Sequence, residues 1–120
     1  MVTNNEINTD REEMLEAVKK DGCALLYADD TLKADREVVL EAAKNNGFVA
    51  LQYADDTLKA DREVVLEAVM NDGTALNDAD DSFKADREVV LEAVKNDSVA
   101  LEYASEELQN DPELKKLAES

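Results

Sequence analysis

Apolar residues recur along this chain in one pattern that is written four times and begun a fifth. In the second occurrence Val38, Val39, Ala42 and Ala43 form a stripe at helical spacing with Leu40 on its flank. Glu37, Glu41, Lys44 and Asn45 fall on the opposite face. A shorter apolar block, Ala50, Leu51, Tyr53 and Ala54, follows Gly47 and predicts a second helix of about two turns. The stretch Asp55-Asp56-Thr57-Leu58-Lys59-Ala60 then predicts a turn that Leu58 pins to the core. Each pattern opens on the same dipeptide, at Asp10-Arg11, Asp35-Arg36, Asp61-Arg62 and Asp86-Arg87, and a fifth copy starts at Asp111. The starts lie 25, 26, 25 and 25 residues apart, the longer interval being one extra residue within 47–51. Self-similarity at this period predicts stacked supersecondary units, none able to bury a core alone.

The expected fold is therefore all-α: four tandem units of long helix, short helix and pinned turn, closed by a C-terminal capping helix. Residues 1–9 are expected to be a flexible tail, and 10–120 a single domain. Asp35 is placed to cap its helix, and Glu37 puts negative charge where the helix dipole favours it. Gly47, like Gly22 and Gly73, follows a long helix and is expected to be its left-handed C-cap. Ser98 takes that slot in the fourth unit, where Asn96-Asp97 share the stopping role. In the last copy Pro112 suits the first helical position, Leu114 and Leu117 are expected to face inward, and Lys115 and Lys116 suit the helix end.

Charge narrows the chemistry. Thirty acidic residues against thirteen basic ones give a formal charge of -17, which disfavours nucleic acid and anionic membranes and favours a protein partner with a basic surface. The chain has no histidine, so Ser-His and Cys-His catalysis and the commonest zinc ligand are excluded. Cys23 is the single cysteine and shares a register with Thr74 and Val99, which reads as a small filler. Residues 1–9 hold no apolar signal core, and no apolar run approaches the roughly 20 residues a bilayer requires. No cofactor, metal or catalytic residue is expected, and the chain reads as no enzyme.

The recurring Asp29-Asp30, Asp55-Asp56 and Asp80-Asp81 raise a calcium reading. An EF-hand loop started at Asp78 would need glycine where Phe83 stands and glutamate where Val89 stands. The carboxylates are instead expected to cap the turns and to pair with the arginine opening the next helix.

A repeat supplies its own control, and the third unit deviates most. Tyr27, Tyr53 and Tyr103 share a register in which the third copy has Asp78; Lys19, Lys44 and Lys95 share one in which it has Met70; Leu32 and Leu58 correspond to Phe83. Met70, Asn77, Asp78 and Phe83 are the candidate partner-binding residues, because a flexible thioether in the open is a common binding feature.

The phrase running from Asp86 through Asp97, followed by Ala100-Leu101-Glu102-Tyr103-Ala104-Ser105-Glu106-Glu107-Leu108, resembles a bacterial tandem repeat known as domain of unknown function four-one-one-six, over residues 10 to 111. The resemblance implies a helical repeat fold and supplies no catalytic motif. It also implies a likeness to effectors that intracellular bacteria inject into host cells, among them a small acidic inhibitor of ubiquitin-deamidating and transglutaminating effectors. The location implied is the bacterial cytoplasm with translocation to host cytosol. The expected function is a non-catalytic acidic interaction module that binds and inhibits or regulates a partner, an effector enzyme acting on ubiquitin. The alternatives are a DNA mimic and a calcium-binding acidic repeat. A homodimer joining exposed apolar edges of the stack is a further expectation.

Overall fold

In a computed structural model, described for residues 10–119, four units follow one another in register. The first comprises α1 (Arg11–Lys20), a 3-10 helix η1 (Gly22–Tyr27) and α2 (Asp30–Lys33). The second holds α3 (Arg36–Asn45), α4 (Gly47–Tyr53) and α5 (Asp56–Lys59); the third, α6 (Arg62–Asn71), η2 (Gly73–Asp78) and α7 (Asp81–Lys84). The fourth has α8 (Arg87–Asn96), η3 (Ser98–Tyr103) and α9 (Glu106–Gln109), and α10 (Pro112–Glu119) closes the chain. The fold is all-α, with no strand among the described residues. The tail expected over 1–9 lies outside them. The pinned turn of each unit is itself a four-residue helix, which the sequence pattern did not resolve.

Carboxylates and amides start nearly every helix. Asp10, Asp35, Asp61 and Asp86 accept amides of the first turns of the long helices, and Asp111 does so for α10. Asp21, Asn46, Asp72 and Asp97 each do two jobs in extended conformation. The backbone amide closes the long helix on Ala17, Ala42, Ala68 or Ala93, while the side chain caps the short helix that follows. This corrects the expectation for the glycines. Gly22, Gly47 and Gly73 open the next helix rather than capping the last, and none has positive φ.

Space, not backbone freedom, requires glycine there. A Cβ on Gly47 would meet the Ala68 carbonyl oxygen of the next unit at 2.1 Å, and one on Gly73 would meet that of Ala93 at 2.2 Å. In the fourth unit this slot is open to solvent, and Ser98 is accommodated. The extra residue of the second unit is absorbed by winding. Six residues of 3-10 helix at ~2.0 Å each and seven of α-helix at ~1.5 Å each differ in length by only about 1–2 Å, so α4 fits the layer of η1, η2 and η3.

Long helices α1, α3, α6, α8 and α10 stand side by side in one layer, and η1, α4, η2 and η3 form a second layer against them. Val38, Val39, Ala42 and Ala43, with their counterparts in α6 and α8, are buried between neighbours. Leu32, Leu58 and Leu108 pin the four-residue helices to the core, as the pattern predicted for Leu58. Among the described residues the end helices α1 and α10 each have a long-helix neighbour on one side only. Glu13 is exposed in α1 where Val38, Val64 and Val89 are buried, and Lys115 is exposed in α10 where Val39, Val65 and Val90 are buried. Leu114 is fully buried as expected, whereas Leu117 is only half-buried. The resulting stack measures 56 × 24 × 18 Å. Its 15.1 Å radius of gyration exceeds the ~13 Å of a sphere-like domain of this length.

Gly47→Ala is expected to cost about 1–3 kcal/mol or more by overpacking against the Ala68 carbonyl. Gly22→Ala, whose nearest atom is the Asn46 Cβ at 2.7 Å, should cost less. Denaturant unfolding of the two variants checks the order.

Candidate functional site

Three ladders tie each unit to the next at the same offset. In the first, asparagine at the end of a long helix clamps the preceding unit. Asn71 Oδ1 accepts the Gly47 amide at 2.7 Å while its Nδ2 donates to the Lys44 carbonyl at 3.1 Å. Asn45 and Asn96 do the same for Gly22 and Gly73, donating to the carbonyls of Lys19 and Met70. In the second, the amides of Asp55, Asp80 and Ser105 donate to the carbonyls of Lys33, Lys59 and Lys84.

The third ladder is ionic. Arg36 Nε lies 2.7 Å from Asp61 Oδ2, and its Nη2 donates to Glu63. Arg11 binds Asp35 and Glu37, Arg62 binds Asp86 and Glu88, and Arg87 binds Asp111 and Glu113. The arginines thus hold the cap and first-turn carboxylates of the following unit, which corrects the expectation that they pair with the turn aspartates. Hydrogen bonds from Arg11 and Arg36 hold the carboxyls of Asp35 and Asp61 below the ordinary 3.8. For Asp111 the Leu114 amide is the leading cause and Arg87 the second. The arginines are raised in turn.

The turn carboxylates are capping groups. Asp29, Asp55 and Asp80 accept hydroxyl hydrogen bonds from Thr31, Thr57 and Ser82 and amide bonds from the same short helices, and their carboxyls are lowered accordingly. Asp56 and Asp81 pair with Lys59 and Lys84 within their own turns. Among the described residues no group of three or more His, Cys, Asp or Glu is arranged to hold a metal. Cys23 is half-buried, and Asn46 Nδ2 donates to its sulfur at 3.3 Å.

The structure spreads the four candidate residues over three elements, α6, η2 and α7. Met70 lies in the last turn of α6, away from the buried stripe of Val64, Val65, Ala68 and Val69, and is 56% exposed. Asn77 is exposed on η2, and Phe83 in α7 is half-buried against the core beside α8 and η2. Asp78 borders an open depression of about 300 Å³ lined also by Asp56, Lys59, Ala79, Asp80 and Asp81. One unit earlier Lys33 Nζ stands 5.8 Å from the centre of the Tyr53 ring. Lys59 and Asp78 hold those registers here, so the ring's place is taken by a carboxylate. Leu66 and Glu67, neighbours of Met70 on α6, were not singled out from sequence. The clamping role of Asn45, Asn71 and Asn96 was not read from sequence either, although asparagine in units two to four against Lys20 in the first was the available signal.

Stacked units with a glycine slot and three inter-unit ladders define a tandem α-helical repeat protein. The model of the family described as a domain of unknown function, DUF4116, matches residues 10–59, 49–84 and 86–118, and the chain belongs to that family. No curated protein matches it, and neither does any solved structure.

Asp61→Asn keeps a capping oxygen but removes the ion pair with Arg36. Because the folded carboxyl lies below 3.8, its contribution is complete above that value and is lost as pH falls through the lowered one. The stability gap between wild type and D61N should therefore be constant at neutral pH and close on acidification, read by denaturant unfolding across pH; a gap unaffected by acid would contradict this.

Proposed function

We propose that this protein is a non-catalytic acidic interaction module that binds the basic surface of a partner protein and inhibits or regulates it. The observation that carries this reading is where the charge goes. All four arginines are engaged in surface bridges between successive units, and Lys44, Lys59, Lys84 and Lys95 pair locally, which leaves the acidic excess without basic partners of its own. Between the second and third units Asp56, Asp78, Asp80 and Asp81 surround a depression that holds one cation, Lys59. Such a surface steers a basic partner and sets salt dependence more than final affinity. Large apolar side chains left exposed, among them Tyr27, Phe48, Met70 and Val99, supply the contacts that hold after encounter. Inhibition is then steric: a rigid stack seated over a basic substrate groove keeps the substrate out.

The resemblance to effector inhibitors directs the first trial to bacterial enzymes that deamidate or transglutaminate ubiquitin. The purified chain titrated into such an enzyme should suppress turnover at stoichiometric ratio, with association slowing as salt is raised. Unchanged turnover at saturation, with no complex by size-exclusion chromatography, would count against the reading for that class of enzyme.

A further inference from the structure

The outer face of the long-helix layer repeats a simple arrangement that is broken once. Leu15, Leu40, Leu66 and Leu91 share a register and are half-buried, each with one side against the core and one toward solvent. Four residues on, and therefore on the same side of the helix, stand Lys19, Lys44, Met70 and Lys95. In the second and fourth units this lysine reaches back to the glutamate three residues before it, Lys44 to Glu41 at 3.5 Å and Lys95 to Glu92 at 3.4 Å. Lys19 and Glu16 of the first unit form no such pair; Met70 cannot form one, so Glu67 has no lysine three residues on to meet.

One substitution thus does three things together. It extends the Leu66 register into an apolar pair, removes a cation, and leaves Glu67 beside the apolar pair without the lysine that meets Glu41 and Glu92 in the second and fourth units. The apolar surface continues toward the C-terminal end, where Leu91 and Leu117 line an open groove of about 390 Å³ with Lys95, Glu113 and Lys116.

We propose that this face, centred on Met70 and Leu66 with Glu67 beside them, is the docking site for a basic amphipathic helix of the partner protein. The proposal rests on the interaction-module reading and assigns it a surface. The helix would lay apolar residues spaced by three and four over Met70, Leu66 and Leu91, and set a lysine or arginine on Glu67. Charge fixes its direction. The basic end lies over α6 beside Glu67, because at the other end Lys95 and Lys116 border the groove against a single carboxylate, Glu113, which is itself bound to Arg87. Charge also argues against a second copy of this chain, since each copy carries -17 and would bring Glu67 toward another acidic surface.

Met70→Lys is the decisive variant, since it installs the residue that the second and fourth units already carry and so should preserve the fold. The probe is a synthetic leucine-lysine amphipathic helix, beside a scrambled peptide of the same composition. Binding is measured by fluorescence anisotropy and mapped by amide chemical shifts on the full chain. The expected result is shifts at Leu66, Glu67, Met70 and Leu91, and an affinity loss of about tenfold or more in M70K. Lys44→Met should create a second site and raise the stoichiometry. Equal binding of both peptides to wild type and M70K, or shifts confined to Asp56, Asp78 and Asp80, would overturn the docking site while leaving the interaction reading standing. A wild-type dimer that M70K dissolves would overturn it in favour of self-association. Failure of every basic probe to bind would remove the interaction reading itself.

Discussion

Successive units come too close for a side chain where the first residue of a short helix lies against a carbonyl of the next long helix. A side chain there would collide with Ala68 or Ala93, so Gly47 and Gly73 are a steric requirement of the stack. The same approach brings their amides to Asn71 and Asn96, whose other amide end reaches back to the preceding helix. A buried amide left unpaired costs about 1–3 kcal/mol, so the clamp and the close approach depend on one another. Everything else in the stack follows at this spacing: the valine and alanine walls meet, the short-helix layer closes, and each arginine arrives at the carboxylates of its neighbour.

The ionic ladder reads differently. Its pairs are largely exposed, and an exposed pair contributes only about 0–1 kcal/mol. Their larger effect is on the surface. By binding the arginines to cap and first-turn carboxylates, the stack leaves an outside on which acid predominates, at the cost of self-repulsion that salt relieves. The regular spacing of the units carries that surface in register along a stack 56 Å long.

Much of this was legible from the residues. The period, the Asp-capped long helices, the buried stripe and the pinning role of Leu58 follow from helical spacing and capping chemistry, and the structure has them. The glycines misled, because a glycine after a helix satisfies two demands that look alike in sequence, positive φ and lack of room, and only packing against the next unit separates them. The arginine pairing was misassigned for the same reason: its partners lie 24 to 27 residues away, across the unit boundary. Asn45 read as a solvent-facing residue because helical position alone cannot show a carbonyl arriving from another unit. At the candidate surface, Met70 stood out as a departure from the repeat. That Glu67 lacks the lysine that meets Glu41 and Glu92 needed the lysine-glutamate geometry of the neighbouring units.

The most direct measurement is native-state hydrogen exchange at the amides of Gly22, Gly47 and Gly73. If asparagine clamps lock the units together, these three amides exchange only through openings near the global unfolding free energy, despite opening short helices in a mostly solvent-facing stack. Exchange at rates typical of frayed helix starts would mean that the units are not coupled through this contact, and the account of a register-locked surface would fail.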